Sequence, residues 1–87
     1  MPANSVFIDR KALKQLDKLP KNTQNRIGNA IDVLQNEGFS KRLDIKKLQG
    51  LINRYRIRVG KYRILIELQA DNIIEVYTIL PRETAYS

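Results

Sequence analysis

The stretch RYRIRVGKYRILIEL, residues 54–68, decides the fold. Tyr55, Ile57 and Val59 alternate with Arg54, Arg56 and Arg58, the period of a half-buried strand. Tyr62, Ile64, Ile66 and Leu68 repeat that period on the far side of Gly60-Lys61. A two-residue loop with glycine first fits a type II′ hairpin, and this sets the register. Val59 stands opposite Tyr62, Arg58 opposite Arg63, Ile57 opposite Ile64, Arg56 opposite Leu65 and Tyr55 opposite Ile66. Arg56, Arg58 and Arg63 thus share one face. Like charges directly opposed across a strand pair cost up to about 1 kcal/mol, so the fold gains nothing from Arg58 facing Arg63. Guanidiniums are planar, permanently charged donors suited to a phosphate. Glu67, Glu75 or an acidic partner would neutralise the same patch, and the register does not choose between these readings.

Downstream, Ala70-Asp71-Asn72 separates the hairpin from a third run, Ile73 to Leu80. With those three residues as the loop, Leu68, Ile66 and Ile64 meet Ile74, Val76 and Thr78 on the core face. Glu67, Leu65 and Arg63 then meet Glu75, Tyr77 and Ile79 on the other. Pro81 cannot donate to a ladder and closes the sheet, leaving residues 82–87 as an exit segment. Upstream, residues 39–53 form a basic connection that Leu43, Ile45 and Leu48 pin to the body and Gly50 turns. Before it, Ser5–Ile8 is a short strand, and Asp9 caps a helix carrying Ala12, Leu16 and Leu19 on one stripe until Pro20 stops it. Asn22 or Thr23 starts a second helix with Ile27, Ala30, Ile31 and Leu34 inward, ended by Gly38. The expected class is α+β: an N-terminal strand, a two-helix hairpin and a C-terminal antiparallel three-stranded meander with the helices on one sheet face.

At 87 residues the chain reads as one domain spanning 1–87. It contains neither cysteine nor histidine, which removes disulfides, thiol nucleophiles, the commonest zinc ligand and the commonest neutral-pH base. No apolar run approaches a membrane span, and the opening MPANSVFIDRK lacks a basic region followed by an apolar one, so a soluble, cytoplasmic protein is expected. No glycine-rich phosphate loop and no acidic cluster with metal-ligand spacing occurs, and neither cofactor nor metal is expected. The net charge is +7, yet residues 41–66 alone carry nine basic side chains against Asp44, a local excess that favours a polyanionic partner. Tyr55 and Tyr62 fall at core parity. Tyr77 falls on the arginine side, and Tyr86 lies four residues after Arg82; these two rings are candidates to stack on bases, and Tyr86 is equally a candidate for a terminal ring folded back on the body.

The order strand, helix hairpin, basic linker ending KKLQGL, then Y-R-I-R-V-G-x-Y-R-I at 55–64 and R-x-x-x-Y at 82–86, resembles the RelE/ParE superfamily of bacterial and archaeal toxins. The resemblance spans nearly the whole chain and implies a RelE-like fold with a concave basic face opposite the helices. For the RelE branch it implies a metal-independent endoribonuclease that enters the ribosomal A site and cuts mRNA, neutralised by an acidic, helical, RelB-like antitoxin that wraps the body. Carried over by position, Arg58, Arg63, Arg82 and Tyr86 would be catalytic, and Arg56, Lys46, Lys47 and Lys61 would bind RNA. Arg58 and Arg63 would stabilise the phosphorane, Arg56 a flanking phosphate and Arg82 the leaving oxygen, while Tyr86 would align a base. RelE enzymes carry lysines where this chain has Arg56 and Arg58, and many relatives carry a histidine where it has Pro81. Arginine cannot act as a base at ordinary pH, so proton transfer would fall to Tyr86 or to one of Lys46, Lys47 and Lys61. The alternative is the ParE branch, which shares the fold and poisons DNA gyrase, or a catalytically weak toxin acting only by protein binding.

Overall fold

A computed structural model describes residues 4–81. Its elements run β1 (Ser5–Ile8), α1 (Arg10–Asp17), α2 (Lys21–Glu37), β2 (Asp44–Lys47), β3 (Arg54–Val59), β4 (Tyr62–Gln69) and β5 (Ile73–Pro81). The strands form one sheet in the order β1-β5-β4-β3-β2, antiparallel except where β1 pairs in parallel with β5. Parallel neighbours need a crossover, and the α1–α2 hairpin lies within the chain segment that supplies it. Among the described residues no helix is long and apolar enough to cross a membrane.

Local chemistry explains the helix ends. The Asp9 carboxylate accepts from the Lys11 N–H at 2.6 Å and so caps α1. α2 begins earlier than a side-chain cap predicts: Pro20 occupies the N-cap, and the Asn22 side chain accepts only from its neighbour, the Thr23 N–H. Gln24 stitches the two helices by donating from Nε2 to the carbonyls of Leu19 and Asp17. Gly38 closes α2 with φ +71°, its N–H donating to the Leu34 carbonyl.

Ala12, Ile27 and Leu34 of the helices join Ile57, Ile64, Ile66, Ile74, Val76 and Ile79 of the sheet in one buried cluster. The sheet members of that cluster from β3 and β4 share one parity, so the helices cover a single face. The β3–β4 register is the one the two-residue loop requires, from Val59 opposite Tyr62 to Arg54 opposite Glu67. Gly60 has φ +58°, a left-handed conformation that favours glycine, and the flexible Arg26 guanidinium packs over the turn.

Two features of the sheet depart from the sequence expectation. First, the basic connection contains β2, which pairs with β3 from Asp44 opposite Arg58 to Lys47 opposite Tyr55 and makes the meander four-stranded. Only Ile45 of its four residues is apolar and inward-facing, so period-two patterning was too short to register; the open edge of β3 orders the segment. Second, β5 carries a bulge. Gln69 to Ile66 pair with Ile73 to Val76 as expected, but Leu65 then meets Thr78, Ile64 meets Ile79 and Arg63 meets Leu80, leaving Tyr77 as the extra residue. Ile79, expected on the arginine face, is therefore core and 3% exposed.

Arg56 is only 5% exposed and donates to Asp44 Oδ1 at 3.1 Å and to the Asp44 carbonyl at 3.2 Å, tying β3 to β2. Removing one partner of a buried charged hydrogen bond costs more than breaking an exposed pair. Asp44→Ala should lower unfolding free energy by about 1–3 kcal/mol in urea titrations. Glu37→Ala, which breaks the shorter but exposed bond to Arg42, should cost less than about 1 kcal/mol. Ile64→Ala, which empties the centre of the cluster, should cost about 2–5 kcal/mol by the same titration.

Candidate functional site

The sheet face turned away from the helices carries a cleft of about 530 Å³. Its cations are Lys46 and Lys47 from β2, Arg56 from β3 and Arg63 from β4; Leu48, Leu51 and Leu65 supply apolar wall, with Gln49 and Tyr77 completing the lining. Among the described residues no carboxylate lines it. Strand alternation puts Arg56, Leu65 and Arg63 on this face by the same step that buries Ile57, Ile64 and Ile66 on the other.

The predicted site residues are distributed unevenly. Arg56 and Arg63 are 5% and 9% exposed, so both guanidiniums are built into the sheet rather than held in solvent. Arg58 faces Arg63 in the ladder but is exposed and lines a neighbouring shallow groove with Arg26, Arg42 and Asp44. Among the described residues Arg58 has no carboxylate within ion-pair distance. Lys46 and Lys47 reach the cleft, whereas Lys61 sits exposed in the β3–β4 turn and takes no part in the lining. Arg82 and Tyr86 lie outside the described residues.

Two of the carboxylates near this face are already committed. Asp44 holds Arg56, and Glu67 holds Arg54 at 3.4 Å. Neutralisation therefore operates, though by Asp44 on Arg56 and by Glu67 on Arg54 rather than by Glu67 or Glu75 on the three arginines. Arg54 also lies over the Tyr77 ring at 4.9 Å from its centroid, a cation–π contact that fixes the ring at the cleft. Tyr55 packs edge-on against Phe39 at 4.7 Å, consistent with its core parity.

The apolar wall was not singled out from the sequence. Leu65 was readable, since the register sets it opposite Arg56 on the basic face. Leu48 and Leu51 follow β2, and only the folding of that strand brings them beside Arg63. The finished arrangement offers charge-assisted donors for phosphate oxygens beside one aromatic face and leucine side chains, a combination that suits single-stranded nucleic acid.

Comparison with known proteins agrees with this architecture. Residues 6–86 match the family model of the ParE toxin of the type II toxin–antitoxin system parDE. Toxin RelE3 of Methanocaldococcus jannaschii is 40% identical over 83 residues, covering 93% of each chain. The archaeal RelE–RelB complex of Pyrococcus horikoshii OT3 contains a chain that superposes with a TM-score of 0.81 at 30% identity, covering 94% of this chain and 98% of that one. A RelB–RelE antitoxin–toxin complex from Methanococcus jannaschii gives a TM-score of 0.79 at 36% identity, covering 93% and 95%. By its strand order, its hairpin register and these relatives, the chain belongs to the RelE/ParE superfamily of type II toxin–antitoxin toxins.

Proposed function

We propose that this toxin is a RelE-like, metal-independent endoribonuclease that cuts mRNA on the ribosome, in one cytoplasmic domain. The observation that carries the reading is a cleft to which the described residues bring four cations, one held aromatic ring and no carboxylate, a composition that attracts a phosphodiester and accommodates an unstacked base. The substrate's 2′-hydroxyl attacks the adjacent phosphorus, and the bond to the 5′ oxygen breaks. One proton leaves the 2′-hydroxyl and one is delivered to the departing oxygen, giving a 2′,3′-cyclic phosphate and a free 5′-hydroxyl.

In this reading the chain contributes chiefly preorganised positive charge. Arg63, embedded in the sheet, and Arg58 at the neighbouring ladder position stabilise the charge that develops on the phosphorane. Arg56 is oriented by Asp44 and faces a flanking phosphate, and Lys46 and Lys47 hold the strand along β2. Tyr77 offers its ring to a base. Arg82 steadies the leaving oxygen and Tyr86 aligns the nucleotide. Proton transfer falls to Lys46, Lys47 or Tyr86, since arginine cannot give up its proton. The acidic partner is a RelB-like antitoxin; the RelE–RelB assembly of the Pyrococcus relative supports this, as does the basic excess of residues 41–66.

The match to the ParE family model favours one other reading, inhibition of DNA gyrase without RNA cleavage. A reconstituted translation reaction separates the two. Codon-phased message breaks, undiminished in EDTA, are expected from the ribonuclease, and trapped gyrase–DNA breaks alone would transfer the assignment to the ParE branch. Arg63→Ala should slow message cleavage by about 10²–10³-fold, the loss of one good oxyanion donor, with the unfolding midpoint measured alongside.

A further inference from the structure

α1 carries a second concentration of positive charge, on the opposite side of the sheet from the cleft. At about 100° per residue, Arg10, Lys14, Lys18 and Lys11 fall within an arc of about 100° around the helix axis. Ala12 and Leu16 lie across the wheel from this arc and pack into the core, so the arc faces outward and all four cations are exposed. With Asp9 and Gln15 they line a shallow depression of about 550 Å³, and none of them lines the cleft. The Asp9 carboxylate is committed to the Lys11 N–H, and Asp17 borders the arc without pairing. Among the described residues no carboxylate stands within ion-pair distance of any of the four. Helix formation does not explain this placing. Arg10–Lys14 and Lys14–Lys18 at i, i+4 and Lys11–Lys14 at i, i+3 are like-charge pairs, which weaken a helix. Arg10 and Lys11 also stand in the first turn, beside the positive end of the macrodipole and with no acidic residue to balance them; only Lys14 and Lys18 lie at the end that favours cations.

We propose that this arc is a second nucleic-acid surface, one that takes the phosphate backbone of a duplex. A protein partner would need apolar anchors at the centre of its footprint, where lysine is depleted. The arc has none, since Leu13, the exposed leucine of α1, falls outside it. A single strand gains much of its affinity from stacking on aromatic rings, and no aromatic residue occurs in α1 or lines the depression. A duplex stacks its bases on one another and presents about one negative charge per 1.7 Å of axis, which four cations on a convex helix meet without reading sequence. The two faces of the protein thus divide by chemistry: the cleft offers a ring and apolar wall to an unpaired base, and α1 offers charge alone to a paired backbone. The proposal stands whether or not the cleft cuts RNA.

The test measures binding of the full chain to an RNA hairpin, a DNA hairpin and an unpaired RNA of equal length by fluorescence anisotropy over a range of salt. Lys14→Gln/Lys18→Gln removes two charges from the arc and keeps good helix formers. Lys46→Gln/Lys47→Gln removes the same charge from the cleft. The α1 variant should lose at least about tenfold in hairpin affinity, with the slope of log K against log salt shallower by about 2, and the cleft variant should lose mainly the unpaired strand. Loss on either hairpin supports the surface, and the arm that loses more names the duplex. Equal hairpin losses in the two variants mean that only net charge matters and overturn the proposal, as does a wild type that binds neither hairpin. Unchanged hairpin binding with weakened binding of the acidic antitoxin gives the arc to a protein and overturns it too. Should the α1 variant fail to fold, amide shift changes in the wild type on adding the RNA hairpin decide: the largest changes at residues 10–18 support the surface, and the largest changes around the cleft overturn it.

Discussion

The pairing of β3 with β4 across Gly60-Lys61 is the constraint on which the rest of this structure depends. One step of register decides both faces at once, because side chains on paired strands alternate between the two sides. With Val59 opposite Tyr62, Ile57, Ile64 and Ile66 enter the core beneath the helices, and Arg56 and Arg63 line the cleft on the other side. A slip of one residue would place guanidiniums among the isoleucines. The burial of three isoleucines, each favouring the observed register by about 1.5–3 kcal/mol, outweighs the repulsion of about 1 kcal/mol between facing arginines. The core thus holds in place a facing pair, Arg58 and Arg63, whose mutual repulsion adds nothing to stability.

How that charge is tolerated follows from the next strand. β2 brings Asp44 to Arg56, and the pair lets one guanidinium lie almost wholly out of solvent while it still lines the cleft. Arg54 is handled differently, shared between Glu67 and the face of Tyr77. Both arrangements immobilise a cation without placing a carboxylate among the described residues that line the cleft. A site that binds an anion gains from such fixed donors, since they need not reorganise when the ligand arrives.

The far side of the sheet depends on contacts of long range. β5 is paired by β1 only as far as Val76, and α1 takes over there through Gln15. The helices therefore do more than cover the core: α1 completes the hydrogen bonding of a strand end, and α2 seats Arg26 against the Gly60 turn. The two helices in this way brace β5 and the β3–β4 turn, between which the basic face is stretched.

The hairpin, its register, the Asp9 cap, the stripes of both helices and the placing of Arg56 and Arg63 on one face were legible in the amino-acid sequence, because each depends on neighbours within a few residues or on strict alternation through a two-residue turn. β2 was not legible, since Asp44-Ile45-Lys46-Lys47 holds one inward apolar residue and becomes a strand only against the edge of β3. The division of labour among the arginines was likewise hidden: Arg56 and Arg58 have the same chemistry and the same parity, and only the position of Asp44 on β2 buries one and leaves the other exposed. The Ile79 N–H beyond the bulge at Tyr77 finds its acceptor in an oxygen of Gln15, separated from it by 64 positions in the chain. Alternation and turn chemistry act through the local backbone and can be read in one dimension, whereas an edge partner, a counter-ion and a replacement acceptor exist only once distant segments share a surface.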